Sequence, residues 1–133
     1  MTTSKAEDLT DTWQGRFSFP RLYEPVSFTA RIEHTGDALF GSVEEPGVRG
    51  AAAGKRLTAT ITGTAIGRAV TFLKTYDAFA AGYDAVHYAG TVGDGGLEIS
   101  GVWTIPGNWS GTFLMIRSRG LELALSKTRV ERI

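Results

Sequence analysis

The chain has 133 residues, 42% hydrophobic and 21% charged, with 14 basic side chains against 14 acidic ones. That length suits one domain with a sizeable core, and a formal charge of zero removes the broad basic footprint expected of a nucleic-acid binder. The absence of cysteine excludes disulfides, thiolate catalysis and Cys-based zinc sites, and two histidines, His34 and His87, are too few for a His-rich metal site.

The first residues, MTTSKAEDLTD, are polar and lack the apolar centre of a signal peptide. No apolar run approaches the length that spans a bilayer. The sequence therefore predicts a cytoplasmic protein with no membrane partner and a flexible N-terminal segment over residues 1–11. The Asn108 sequon is read as chance in that setting.

From residue 12 onward the pattern has period two. Strands are expected at 12–19, 26–34, 38–44, 56–66, 69–76, 85–92, 97–105 and 109–118. In the second, Val26, Phe28, Ala30 and Ile32 alternate with Ser27, Thr29, Arg31 and Glu33. A motif of apolar, any, Gly, any, apolar recurs through most of these strands: WQGRF, LFGSV, ITGTA, YAGTV, ISGVW and WSGTF. Each glycine falls on the apolar face, where a missing side chain permits sharp coiling of a sheet. Short connections favour antiparallel neighbours. The expected fold is all-β: an antiparallel up-and-down β-barrel of about eight strands over residues 12–118, with an internal cup. The tail 119–133 reads as a short helix or an extra strand.

The loops sort by end. Compact Gly-containing turns at 35–37, 66–68 and 93–96 share one end, and longer segments at 20–25, 45–55, 77–84 and 106–108 share the other. The second end is therefore read as the mouth, with the Gly- and Ala-rich 45–55 loop as a flap or an inert excursion. Parity points Phe17, Phe19, Phe28, Val43, Lys74, Tyr76, Tyr88, Trp103 and Trp109 inward near it, with Tyr23, Phe79 and Tyr83 in the surrounding loops. Such aromatic walls with few polar groups line small-molecule sites, although the same residues would also fill a solid core.

In VTFLKTYD, Lys74 shares a face with Val70, Phe72 and Tyr76. A buried ammonium must be paired, hydrated or deprotonated. Glu45 and Asp84 are the nearest candidate partners, so one reading is an ion pair that ties the mouth loops to a strand. As a binding contact, Lys74 would meet a carboxylate or carbonyl, with the Tyr76 hydroxyl setting orientation. As a catalyst it would be a base, Schiff-base nucleophile or electrophilic contact, with Tyr76 or Tyr88 as proton donor. No phosphate loop, nucleophile elbow or HExxH motif accompanies it, and no cofactor or metal is called for. His87 is read as an outward surface residue and His34 as an inward, hydrogen-bonded neighbour of a turn. The threonine face of 58–64 should meet solvent. Val102, Leu114 and Ile116 point outward on adjacent strands, which suits a homodimer or a covering by the apolar tail.

Trp13 begins the first strand beside Gly15, and Arg117 lies near the end of the last, both inward at the compact-turn end. A first-strand Trp under a basic side chain from the last strand resembles the calycin superfamily of lipocalins, fatty-acid-binding proteins and avidins, across residues 12–118. The lipocalin Gly-x-Trp order is reversed here, and no set of avidin biotin contacts aligns. The resemblance implies a ligand-holding barrel and makes Arg117 a structural residue. The expected function is binding of a small, largely apolar molecule with a carbonyl or carboxylate, through Phe17, Phe19, Phe28, Lys74, Tyr76, Tyr88, Trp103 and Trp109. The alternative is an isomerase, cyclase or lyase acting in the same cup.

Overall fold

The computed structural model describes residues 8–20, 24–47, 54–77, 85–107 and 109–118. Eight antiparallel strands follow in chain order: β1 (Asp11–Ser18), β2 (Val26–Thr35), β3 (Ala38–Pro46), β4 (Arg56–Ile66), β5 (Ala69–Tyr76), β6 (Val86–Val92), β7 (Glu98–Ile105) and β8 (Trp109–Arg117). Each pairs with its sequence neighbours, and β8 returns to pair with β1, closing an up-and-down barrel. The expected fold class and strand order are borne out, and β3 runs two residues further than the alternation suggested. The calls on the 119–133 tail, on Tyr23, Phe79 and Tyr83, and on most of the 45–55 and 77–84 loops lie outside the described residues.

Burial follows parity along every strand. In β2, Val26, Phe28, Ala30 and Ile32 are buried while Ser27, Arg31 and Glu33 are exposed. Thr58, Thr60, Thr62 and Thr64 are exposed on β4, as is His87 on β6. Gly36 and Gly67 both have φ 60° in the tight turns β2–β3 and β4–β5, a conformation that costs side-chain-bearing residues.

The in-strand glycines serve a different purpose, close approach. A Cβ on Gly63 would stand 1.9 Å from the Thr71 carbonyl oxygen of β5, and one on Gly101 would stand 2.0 Å from that of Ala89 on β6. The wall can therefore coil tightly only where the side chain is missing. Elsewhere a ring from the neighbouring strand takes the vacated inward space. Phe28 covers Gly15, and the Trp103 indole covers Gly111.

The compact-turn end is sealed by Trp13, fully buried, with the Arg117 guanidinium carbon 4.9 Å from the centre of its ring. Arg117 also donates to the Asp8 carbonyl oxygen and pairs with Asp11 at 3.4 Å. The last residues of the segment expected to be flexible are anchored instead. Leu9 is 1% exposed, its carbonyl accepts from Trp13 Nε1 at 2.9 Å, and its amide donates to His34 Nδ1 at 3.0 Å. One apolar side chain in a polar stretch is enough when it plugs a barrel end, since burying a leucine stabilises by roughly 1.5–3 kcal/mol.

Candidate functional site

Lys74 is inward on β5 in register with Ile61 of β4 and Val86 of β6, and it is 2% exposed. It is not bare. Its Nζ donates to Glu45 Oε1 at 2.6 Å, and the Tyr76 hydroxyl donates to Glu45 Oε2 at 3.0 Å. Both charged side chains are only 2% exposed. Glu45 reaches this point because β3 continues to Pro46, which sets Glu45 on the inner face with Gly41 and Val43. The second proposed partner, Asp84, lies outside the described residues.

Aromatic rings box the ammonium. Nζ lies 4.7 Å from the centre of Phe17, 4.8 Å from Tyr76 and 5.3 Å from Tyr88, distances at which ring faces attract a cation. Burial acts against the charged form of Lys74, but Tyr88, Glu45 and Tyr76 outweigh it and hold the amine above its ordinary protonation range. Of these neighbours, Glu45 is the one that forms the ion pair. Burial is also the leading cause that raises the Tyr76 and Tyr88 hydroxyls, against the opposing pull of Lys74. The cluster thus holds an ammonium and two protonated phenols. An amine kept charged in this way has no lone pair for Schiff-base formation or proton abstraction at neutral pH. It retains the ability to donate to a carbonyl.

The inward rings form two groups, which take up the aromatic residues expected around the mouth together with Phe72 and Phe113. On the β1, β7 and β8 side, ring centres are 5.5 Å apart for Phe17–Phe19 and Phe19–Trp103, 5.2 Å for Phe19–Trp109 and 6.4 Å for Trp103–Trp109. The Trp103 indole passes over Gly111 and donates to the Ser18 carbonyl at 3.0 Å, pinning the end of β1. On the β5–β6 side, Phe72 and Tyr88 stack at 4.7 Å, and Phe113 meets Tyr88 edge-on at 5.0 Å. Phe28 stacks on Phe17 at 6.0 Å, and the Lys74 ammonium lies between the two groups, against both Phe17 and Tyr88. Each such pair adds about 0.5–1.5 kcal/mol beyond area burial.

The wall is interrupted beside Glu45. The β2–β3 ladder ends at the Thr29–Glu44 pair, although β2 stays paired to β1 as far as Val26 and β3 to β4 as far as Pro46. A cleft of about 440 Å³ occupies the gap, lined by outward residues including Ser27, Thr29, Glu44 and Arg56, and by inward Phe28 and Glu45. Arg56 and Glu44 pair at 2.9 Å on its β3–β4 side.

Parity brought Lys74, Tyr76, Tyr88, Phe17 and Phe28 together correctly as inward neighbours; it treated Glu45 as a loop-end partner and missed the gap. A signal for both was present: Pro25 immediately precedes β2 and Pro46 ends β3, and proline has no amide hydrogen with which to continue a ladder. Comparisons of the chain with protein-family models, with curated proteins and with solved structures found no match.

Proposed function

We propose that this barrel binds a small, largely apolar molecule, with its carbonyl directed at the Lys74 ammonium. The observation that carries this reading is a buried ammonium–carboxylate–phenol cluster set into an aromatic wall beside a cleft whose lining includes Glu45. A solid core gains nothing from such a cluster, because a buried ion pair is often no more stabilising than apolar residues of the same volume. Lys74 donates to Glu45 and is hydrogen-bonded with the Tyr76 and Tyr88 hydroxyls, so a ligand carbonyl would take the place of one of those phenols at the ammonium. Because Glu45 already neutralises the lysine, a neutral carbonyl suits the cluster better than a carboxylate. The likeness to calycins rests on the closed barrel and on Arg117 stacked over Trp13.

The second reading is an isomerase, cyclase or lyase on the same ligand class. It is favoured by Tyr76, a phenol that carries its proton and already donates to a carboxylate. In that case Lys74 polarises the carbonyl, Glu45 accepts a proton and Tyr76 returns one.

The test uses prodan, a neutral naphthyl ketone whose emission reports polarity. Binding should shift its emission to the blue and quench Trp103 and Trp109. The charge-neutral double variant Glu45→Gln/Lys74→Met should weaken binding at least tenfold, and unchanged affinity in a folded double variant would overturn the assignment. Turnover of a panel of carbonyl compounds that is lost in Tyr76→Phe, with affinity retained, would make the barrel an enzyme.

A further inference from the structure

We infer that the gap between β2 and β3 is a lateral port through which the ligand reaches Lys74, an inference that rests on the binding role proposed above. Three observations lead to it. First, the ladder between these strands stops at Thr29–Glu44 while both strands continue, each held by its other neighbour. The rungs that would join Phe28 to Glu45 and Ser27 to Pro46 are not formed, so the two strands part without fraying.

Second, the cleft in this gap is lined by side chains of both parities. Ser27, Thr29, Glu44 and Arg56 belong to the outer surface, whereas Phe28 and Glu45 belong to the interior. The cleft thus touches residues of both faces at the place where the ladder is open. One of the inward residues it touches, Glu45, is the one whose carboxylate accepts from Lys74 and Tyr76.

Third, the β7–β8–β1 sector of the same end is occupied by Phe19, Trp103 and Trp109, packed ring to ring and secured by the indole bond to Ser18. Entry there would require separating at least three aromatic contacts. Entry at the β2–β3 gap meets exposed Ser27, half-buried Thr29 and an ion pair between Glu44 and Arg56 that water already reaches. Surface pairs of that kind contribute only about 0–1 kcal/mol and part readily.

The chain contains no cysteine, so a single introduced thiol can be labelled alone. Ser27→Cys places one at the port on an outward position of β2, and Asp37→Cys places one in the tight turn at the closed end as a control. Each variant is coupled to a bulky maleimide, and prodan association is followed by stopped flow with circular dichroism confirming the fold. The port predicts that labelling at 27 slows association at least tenfold, while labelling at 37 changes it less than twofold. Equal rates for the two labelled proteins would overturn the port while leaving the binding role intact. Failure of prodan to bind the unlabelled parent would overturn both.

Discussion

Lys74 can be inside this barrel because three different contacts share its charge: a carboxylate at 2.6 Å, a neighbouring phenol on that same carboxylate, and ring faces about it. Removing one partner of a buried pair leaves the other uncompensated and typically costs about 3–5 kcal/mol, whereas removing both charges together can be nearly neutral. Lys74→Met alone should therefore destabilise by roughly that amount in urea unfolding, and Glu45→Gln/Lys74→Met should recover most of the loss. The parent should also have a distinct alkaline profile. The Lys74 amine and the Tyr76 and Tyr88 hydroxyls are all held above their ordinary values of 10.5, 10.0 and 10.0. Above about pH 10 the unfolded chain releases protons that the native state keeps, so native binds more protons than unfolded and stability falls as pH rises. It is fully present below that range. Urea midpoints measured from pH 8 to 11 should decline in the parent and decline less in the double variant; a flat parent profile would contradict the buried cluster. The inward direction of Lys74 was legible from period two alone. Its bond to Glu45 was not, since that depends on β3 persisting through two glutamates and a proline, residues that strands usually avoid.

At the level of strands, nearly all of the architecture could be read in advance, because alternation and tight turns are local properties. The recurrent glycine marked the inner face correctly, yet its physical cause needs coordinates. Gly63 and Gly101 face a carbonyl oxygen of the next strand, not an empty interior. Gly63→Ala should accordingly push β4 from β5 and lower stability by about 1–3 kcal/mol, seen as a drop in melting temperature. Gly15→Ala meets the Phe28 ring, a side chain that can be shortened, so Phe28→Leu should rescue it; the same Phe28→Leu change should not rescue Gly63→Ala. The N-terminal plug was missed for the opposite reason. Its anchor is one leucine in a polar run, and what makes Leu9 structural is the distant trio Trp13, His34 and Arg117 that receives its segment.

For the molecule as a whole, the outer surface carries an apolar strip where β7 meets β8. Val102 is 49% exposed, with Leu114 and Ile116 half-buried beside it. We propose that this strip is a dimer contact, barrel against barrel, since outward apolar residues on paired strands form the flat patch that isologous interfaces use. Light scattering should give twice the chain mass for the parent and the chain mass for Val102→Asp/Leu114→Glu. A monomeric parent would rule the contact out. Sequence alone left the tail as a competing cover for this strip, because apolar parity identifies a face that wants burial without naming what buries it.

The pairing of β1 with β8, Trp13 with Arg117 among its rungs, also sets a schedule for making the protein. A ribosome delivers β1 before its second partner β8, so the sheet cannot close, and β1 keeps a bare edge, until β8 has been made. Unpaired edges invite pairing with other chains, and contacts between distant segments are slow to form. The clasp that ends this exposure is Arg117 arriving over Trp13. Nascent chains stalled before residue 117 should thus be the aggregation-prone form, and the same stacked pair that seals the finished barrel is the one whose arrival completes it.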